Sequence, residues 1–331
     1  VRRQASAFGV FLLSRAFRAS LALQFLESFH SNSNFSPSDI MSRYRGRFAP
    51  SPTGRLHRGS LVAAMGSWLD ARAHDGVWLV RIEDVDPPRD IPGAAEDILR
   101  VLARLGLASD EPVVWQSTRD DAYEKALDRL REKGLLYGCA CSRKEILARD
   151  AELGLPAGVY PGTCRNGTGG RPARALRFRL PDRTLGFTDR LCGHFEQNLP
   201  LEAGDVVMKR ADGLWAYQLA CIVDDVASGV TDVVRGADLL DNTPRQIALI
   251  EALDAPVPRY LHLPLVLNDR KEKLSKQQGA VPLDETNLLG ELEFAWTHLG
   301  FAPLGADSIP AFWRAAVPLW RERFAKEADH G

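Results

Sequence analysis

The amino-acid sequence predicts an α/β fold built on a parallel sheet with crossover helices, because strand-like and helix-like segments alternate along the 331-residue chain. An extended run over 44–49 leads through a tight loop into helical periodicity, and VWLVRIEDVD (77–86) is typical of a buried strand that ends in acidic residues. The alternation resumes at Asp205. Since ligands bind beyond the carboxyl ends of parallel strands, the loop after Ala49 and the acids after Ile82 are predicted to share a site.

The composition is that of a globular chain with room for one large or two medium domains. The net charge of -1 means that any nucleic-acid surface must be a local patch. No apolar run is long enough to span a bilayer, so we expect no membrane contact. We also expect a cytoplasmic location and a monomer. Five cysteines, an odd number, indicate reduced thiols or a metal site rather than a disulfide framework.

Residues 1–40 differ in composition from the rest of the chain. Arginines alternate with apolar and small residues, the first acid is Glu27, and a serine-rich run follows. This pattern is typical of an organellar transit peptide. The simpler interpretation, which we favour, is that Met41 is the true start and that 1–40 is a disordered or non-native extension. Both interpretations leave the segment out of the fold.

The stretch RFAPSPTGRLHRGS, residues 47–60, is predicted to form a strand end, a tight loop and the start of a helix. A helix N-terminus offers free N–H groups and the positive end of the helix dipole, so it suits a phosphate. His57 can donate to phosphate oxygens, Gly59 leaves room for a base or ribose, and Arg47 can bind a carboxylate through two hydrogen bonds. Taken alone, the pattern fits an ordinary strand–turn–helix with a solvated His57 equally well.

The middle of the chain carries two features that indicate binding. Three thiols, Cys139, Cys141 and Cys164, lie in a short region and predict a zinc site, with three buried structural cysteines as the alternative. Residues that could supply the fourth zinc ligand are Tyr160, Cys192 and His194. Six arginines opposed only by Asp182 form a candidate RNA-backbone contact or, alternatively, a solvated loop and strand. These arginines are Arg165, Arg171, Arg174, Arg177, Arg179 and Arg183.

Further along, LHLPLVLNDRKEKLSKQQGA (261–280) is predicted to be an apolar strand that leads into a basic loop. Lysines on a mobile loop can reach a triphosphate and follow its charge as pyrophosphate leaves, and the alternative is a solvated loop. The remainder has room for about one helical subdomain, and its expected core aromatics are Trp296, Phe301, Trp313 and Trp320.

RFAPSPTG, HRGS and KLSKQ, in this order and separation, together resemble the class I aminoacyl-tRNA synthetases of the glutamyl branch. The resemblance covers about 44–320. Ser60 stands where many members have a second histidine, and Leu274 and Gln277 stand where Met and Ser are typical. The short region after Gln277 leaves no room for the family's anticodon-binding part. With C-x-C and Y-x-x-x-C in the insert, the chain is similar to the glutamyl-queuosine subgroup.

The resemblance implies a Rossmann-like catalytic domain interrupted by a zinc-bearing insert. The predicted division is 1–40 as an extension, 41–135 and 205–265 as the two halves of the catalytic domain, 136–204 as the insert or acceptor-type subdomain, and 266–331 as the KLSKQ loop with a short helical C-terminal subdomain.

The resemblance also implies roles for individual residues. The expected catalytic residues are His57, Lys273 and Lys276. Expected contacts to glutamate are Arg47, Phe48, Ala49, Pro50, Ser51, Glu83, Tyr217 and Arg235. Expected contacts to ATP are His57, Gly59, Ser60 and Lys276. The expected ligands of one structural zinc ion are Cys139, Cys141, Tyr160 and Cys164.

The function implied by this resemblance is activation of L-glutamate by ATP with Mg²⁺, followed by transfer to queuosine in the anticodon of tRNA(Asp). The nearest alternative is a glutamyl-tRNA synthetase, cut short, that charges a tRNA 3′ end. Two others are a non-catalytic relative that binds RNA or protein, and a small-molecule nucleotidyltransferase. Intact His57, Glu83 and Lys276 argue against the non-catalytic relative, whereas the RFAPSPTG stretch and the insert argue against the nucleotidyltransferase.

Overall fold

A computed structural model describes residues 43–267 and 281–325. The proposed extension, 1–40, lies outside the described residues, and so do Lys273 and Lys276. The helices of the described segments are α1 (Arg58–Ala73), α2 (Ala94–Arg104), α3 (Asp120–Glu132), α4 (Arg143–Leu153), α5 (Tyr217–Ala227), α6 (Thr243–Ala252), α7 (Leu288–His298) and α8 (Ile309–Trp320). The strands are β1 (Arg45–Phe48), β2 (Val77–Ile82), β3 (Val114–Trp115), β4 (Leu136–Cys139), β5 (Ala175–Phe178), β6 (Thr184–Asp189), β7 (Gly193–Asn198), β8 (Val206–Lys209), β9 (Asp232–Gly236) and β10 (Arg259–Leu263).

Parallel strands form the centre of the molecule, which confirms the predicted α/β class. β1, β2 and β3 pair in parallel in one sheet. In a second sheet β10 lies parallel to both β9 and β6, and β7 is an antiparallel edge strand on β6. The two sheets meet side by side, because the N–H of Thr231, next to β9, donates to the carbonyl of Arg45 at 3.0 Å.

A third sheet, antiparallel and three-stranded, contains β4, β5 and β8. The predicted 204/205 boundary falls between two strands of this sheet. β8 lies beyond that boundary but pairs with β5 of the insert, whereas the β6–β7 hairpin lies before it but joins β10 of the parallel sheet. Pairing across long sequence separations depends on tertiary packing, so the order of strands along the chain did not reveal it.

α1 is the central helix and is buried on most of its surface. It packs against β1, β9, α7 and α8. Gly66 permits this close approach, because a Cβ at that position would lie 2.4 Å from Cδ1 of Leu263. A helix with apolar neighbours on every side is expected to be apolar all round, as the run LVAAMGSWL is.

Two apolar cores support the sheets. The first joins α1 and β2 to the C-terminal helices, and it buries Trp296, Trp313 and Trp320 with Phe301 packed against it, as predicted. The second surrounds α5 and extends to β5 and β8. Among the described helices, none has the length and apolar character required to cross a bilayer.

Candidate active site

The loop between β1 and α1 ends at His57, which caps the helix. The backbone of His57 is extended, and its Nδ1 atom accepts a hydrogen bond from the N–H of Ser60 at 3.3 Å. This bond replaces a backbone partner that the first turn of the helix lacks. Gly59 and Ser60, both predicted to contact ATP, form the first turn and are partly exposed.

The chain returns to this helix start directly after the KLSKQ segment. Pro282 forms an antiparallel β-bridge with His57, and the N–H of Leu283 donates to the carbonyl of Leu56 at 3.0 Å. Lys276 precedes Pro282 by only six residues in the sequence. The described segment that follows the KLSKQ motif in the sequence is therefore anchored at the start of α1.

A cavity of about 490 Å³ adjoins this place. Arg58, the second residue of the HRGS motif, donates to the carboxylate of Glu291 at 2.8 and 3.1 Å and stacks over the ring of Phe294. These contacts connect α7 to the start of α1. The residues that line the cavity are His57, Arg58, Val281, Pro282, Asp284, Asn287, Gly290 and Glu291.

The loop after Ala49 and the acids after Ile82 meet, as the parallel sheet predicts. The N–H of Glu83 donates to the carbonyl of Pro50 at 3.0 Å. Pro50 is buried, whereas Ala49 and Ser51 are partly exposed at this edge. The side chain of Phe48 points away into the core, where it stacks on Trp78, so only its backbone is available to a ligand.

Arg47 is buried and already has a partner within the protein. Its Nε and Nη2 atoms donate to the two carboxylate oxygens of Asp225 at 3.0 and 3.2 Å. Within the described part of the chain, its Nη1 atom makes no hydrogen bond. Arg47 therefore has one terminal nitrogen available for a ligand carboxylate, rather than the two-bond contact that the sequence suggested.

Sequence reasoning missed Arg81 and Asp225. Arg81 donates to Asp225 at 2.6 Å and to Glu83 at 3.0 Å, and all three side chains are buried. Burial would raise the pKa of Asp225, but Arg47 and Arg81 outweigh burial and lower the pKa to about 2. The available signal was a lone arginine in the buried strand VWLVRI, because a buried charge must be paired.

One face of α5 lines the same site. Tyr217, Cys221 and Asp225 lie four residues apart, which places them above one another on the helix. The thiol of Cys221 contacts Nη2 of Arg81 at 3.5 Å. Tyr217 is only partly buried, so it is not the core residue that its apolar surroundings alone would suggest. Burial, followed by Cys221 and Glu83, raises the pKa of Tyr217, which keeps its hydroxyl neutral.

Arg235, at the end of β9, is held from two sides. Its Nε atom donates to Nε2 of His262 at 3.1 Å, and its Nη2 atom donates to the hydroxyl of Thr243 at 2.9 Å. The aromatic ring of Tyr260 lies 5.7 Å from its guanidinium. Its Nη1 atom makes no hydrogen bond with a described residue.

The charges of this pocket are unequal. Three guanidinium groups, those of Arg47, Arg81 and Arg235, are opposed by the carboxylates of Glu83 and Asp225. A further carboxylate, Asp189, is separated from Arg235 by the ring of His262. An amino acid with two carboxylates and one ammonium carries the complementary net charge. The pocket therefore suits an acidic amino acid on charge grounds.

The three predicted thiol ligands come together and form a group that can hold a metal ion. The sulfur atoms of Cys139, Cys141 and Cys164 lie within 4.8 Å of one another. The hydroxyl of Tyr160 lies 3.3 Å from the sulfur of Cys139 and 3.7 Å from that of Cys141. Three thiols and a phenol around one point fit a four-coordinate soft metal.

The other two candidates for the fourth metal ligand lie elsewhere. Cys192 is exposed and its sulfur contacts the carbonyl of His262 at 3.7 Å. His194 lies on β7 and faces Glu196 at 3.6 Å. Tyr160 is thus the candidate that the structure places beside the thiols.

The arginines between 165 and 183 are mostly engaged within the protein. Arg177 is buried, and Arg174 is exposed and makes no side-chain contact with a described residue. The remaining pairs are Arg165 with Asp205, Arg171 with Glu145, Arg179 with the carbonyl of Arg165, and Arg183 with Glu251.

Comparison with known proteins agrees with this geometry. The family described as "tRNA synthetases class I (E and Q), catalytic domain" matches residues 43–296. A relative from Burkholderia cenocepacia (strain HI2424), named Glutamyl-Q tRNA(Asp) synthetase, is 56% identical over 293 residues, which are 86% of this chain and 98% of that protein. A relative of the same name from Cupriavidus metallidurans is 55% identical over 88% of this chain and 95% of its own length.

Solved structures give the same grouping. A glutamate tRNA ligase from Elizabethkingia meningosepticum, in complex with its amino acid, matches 72% of this chain with a TM-score of 0.63 and 31% identity. Glutamate-tRNA synthetase from Elizabethkingia anophelis matches with the same TM-score and 30% identity. This chain spans 53% of the length of each of these two proteins.

Proposed function

From the premise that this chain belongs to the class I tRNA synthetases of the glutamate and glutamine group, we propose that it activates L-glutamate with ATP and transfers the glutamyl group to queuosine in the anticodon of tRNA(Asp). The observation that carries the proposal is the group of three guanidinium side chains, Arg47, Arg81 and Arg235, gathered with the carboxylates of Glu83 and Asp225. The relatives named Glutamyl-Q tRNA(Asp) synthetase match over nearly their whole length, which supports this acceptor over a tRNA 3′ end. We place this activity in the cytoplasm.

Recognition of glutamate depends on the unequal charges of the pocket. The free Nη1 atoms of Arg47 and Arg235 bind the two substrate carboxylates, and the carboxylate of Glu83 accepts from the substrate ammonium. Tyr217 contributes its neutral hydroxyl. Phe48, Ala49, Pro50 and Ser51 contribute the loop against which the amino acid lies. Glutamine lacks one carboxylate, and aspartate is one methylene shorter than glutamate.

In the first step an oxygen of the glutamate α-carboxylate attacks the α-phosphorus of ATP, and the bond to the pyrophosphate oxygen breaks. ATP enters as its Mg²⁺ complex, in which the cation neutralises charge on the departing pyrophosphate. His57 at the helix start donates to phosphate oxygens, and Lys273 and Lys276 follow the developing negative charge. Positioning and charge stabilisation supply most of the acceleration.

In the second step a hydroxyl of the queuosine diol attacks the carbonyl carbon of the glutamyl-adenylate. An ester bond forms, AMP leaves with the electron pair of the anhydride bond, and the hydroxyl proton passes to solvent or phosphate. No protein side chain forms a covalent bond in this step. The same fold can therefore serve an acceptor hydroxyl other than that of the terminal adenosine.

The metal of the insert is zinc, held by Cys139, Cys141, Cys164 and Tyr160, and its role is structural. The ligands extend from Cys139, the last residue of β4, to Cys164 before β5, in a segment where the described residues form only a four-residue cluster of buried side chains. Because so small a cluster stabilises little by burial, bound metal supplies the cohesion of the insert.

The proposal is tested by ATP–pyrophosphate exchange with glutamate, glutamine and aspartate, followed by transfer to three RNAs. These are tRNA(Asp) with queuosine, tRNA(Asp) without it, and tRNA(Glu). We expect exchange with glutamate alone and an ester only on the first RNA. Charging of tRNA(Glu) would identify a glutamyl-tRNA synthetase instead, and absence of exchange would indicate a non-catalytic relative.

A further inference from the structure

A buried chain of hydrogen bonds ends at Arg235 and has no part in the function proposed so far. We propose that Asp189 and His262, together with Thr243, form a positioning unit that fixes the guanidinium of Arg235 for a substrate carboxylate. This inference rests on the proposed activation of glutamate. It assigns a role to two residues that no sequence pattern singled out.

The series of hydrogen bonds begins at a carboxylate that is held rigidly. Asp189 accepts hydrogen bonds from the backbone N–H groups of Leu191, Cys192 and His262 at 2.8–3.2 Å, and its Oδ2 atom lies 2.6 Å from Nδ1 of His262. Asp189 and His262 are both almost completely inaccessible to solvent. A buried carboxylate with this many donors stays ionised and cannot rotate freely.

Only one arrangement of protons satisfies these contacts. An ionised carboxylate and an arginine are fixed as acceptor and donor, so the His262 proton must lie on Nδ1 and the lone pair on Nε2. The lone pair then accepts from Nε of Arg235 at 3.1 Å. Burial lowers the pKa of His262, Asp189 opposes this effect and Arg235 adds to it, so the imidazole is neutral.

The hydroxyl of Thr243 completes the unit. It accepts from Nη2 of Arg235 at 2.9 Å and can donate to the carbonyl of Leu239 at 3.2 Å. With Nε and Nη2 both engaged, the plane of the guanidinium is fixed, and only Nη1 remains for a ligand. Side chains on β6, β10 and α6 therefore position an arginine on β9 before substrate arrives.

The unit also connects two parts of the chain that the sequence assigns to different domains. Asp189 lies at the end of β6, before the predicted 204/205 boundary, whereas Arg235 and His262 lie after it. The β6–β7 hairpin therefore contributes to the amino-acid pocket through His262 without contacting the substrate itself.

Two substitutions of His262 separate positioning from mere support. In H262Q the side chain is long enough for its amide oxygen to take the place of Nε2 and accept the hydrogen bond from Arg235. In H262N the shorter side chain still donates to Asp189 but does not reach Arg235. We expect the KM for glutamate in ATP–pyrophosphate exchange to rise about tenfold more in H262N than in H262Q, the effect of one hydrogen bond to a charged group.

The KM for ATP is the internal control, and we expect it to stay within about twofold of wild type because the ATP site does not include this unit. Equal glutamate KM values for H262N and H262Q, or parallel rises in both KM values, would overturn the proposal. If H262N does not fold, T243V removes the other support of the guanidinium and must show the same selective rise. Wild-type enzyme without glutamate-dependent exchange would instead refute the proposed function.

Discussion

Arg47 illustrates at the scale of single residues how a buried charge is prepared for a ligand. Its two bonds to Asp225 fix the guanidinium before any substrate enters, and Asp225 is in turn shared with Arg81. Asp225 therefore holds two like charges close together, and removing its charge would leave Arg47 buried without a carboxylate partner and Arg81 with Glu83 alone. A pocket held in this way needs little rearrangement on binding.

Asp225→Asn tests this arrangement through stability. We expect the substitution to lower the free energy of unfolding at neutral pH by about 3 kcal/mol, because it leaves uncompensated buried charge. The pKa of Asp225 in the folded protein is lowered to about 2. Its contribution is thus fully present above the pKa of an unfolded aspartate, near 4, and is lost as the pH falls through 2.

The measurement is urea unfolding of wild type and D225N at several pH values. The difference between the two proteins should be largest above about pH 4 and should shrink towards pH 2. D182N is the matched control, because Asp182 is exposed, and we expect it to change stability by less than about 0.5 kcal/mol at every pH. A difference that stayed constant with pH would contradict the ion-pair account.

Lys276→Ala addresses the residue expected to follow the charge on the phosphates. We expect the rate of adenylate formation to fall about 100-fold or more while the affinity for glutamate stays nearly unchanged, since the interaction is made in the transition state. Single-turnover kinetics and equilibrium glutamate binding measure the two quantities separately. Equal losses in both would argue that Lys276 supports the pocket instead.

At the scale of elements, the periodic segments were predicted well and their partners were not. β2 and α1 follow from apolar runs, and Gly134, with a positive φ of 68°, ends the helical run of α3. The sheet that each strand joins could not be deduced, because β5 and β8 are separated by the whole β6–β7 hairpin. The site shows the same limit.

The residues predicted for the site came from the resemblance of three motifs to a known family, and not from the periodicity of the chain. Arg81, Asp225, Asp189 and His262 escaped notice because their significance lies in contacts with residues far along the chain. A charged residue within an apolar strand or helix was the only local clue, and it indicates pairing without naming the partner.

The cysteine cluster gives a prediction for the insert. Cys139→Ser is expected to release bound zinc and lower the melting temperature, because the sulfur of Cys139 belongs to the group of thiols around Tyr160. Metal analysis and thermal melting of the purified protein measure both effects. Cys192→Ser is the matched control and should keep the metal, since Cys192 is exposed and lies against His262. A folded, metal-free and fully active C139S enzyme would refute the zinc site.

At the scale of the whole molecule, the net charge says little about RNA binding. The contacts that each surface arginine makes within the protein are more informative. Three of the six arginines between 165 and 183 pair with nearby acids, and Arg177 and Arg179 donate to backbone carbonyls. Arg174 is the exposed member that has no such contact with a described residue. A surface for the tRNA backbone therefore depends on a few exposed cations.

We predict that Arg174→Glu weakens tRNA binding and makes the salt dependence of the binding constant shallower by about one phosphate contact. Arg183→Glu is the comparison, because Arg183 already pairs with Glu251. Filter binding over a series of salt concentrations provides both slopes. An unchanged slope for R174E would remove this region from the RNA interface.

The surplus of guanidinium groups in the amino-acid pocket has a practical consequence for anyone who handles the protein. A pocket with a net positive charge attracts small anions. Chloride or sulfate from the buffer will therefore compete with glutamate for the free Nη1 atoms of Arg47 and Arg235. Apparent glutamate affinity should therefore decrease with chloride more than with a bulky anion at equal ionic strength, as titration calorimetry in the two salts can measure. The glutamate affinity measured for this protein should therefore depend on the anion in the buffer.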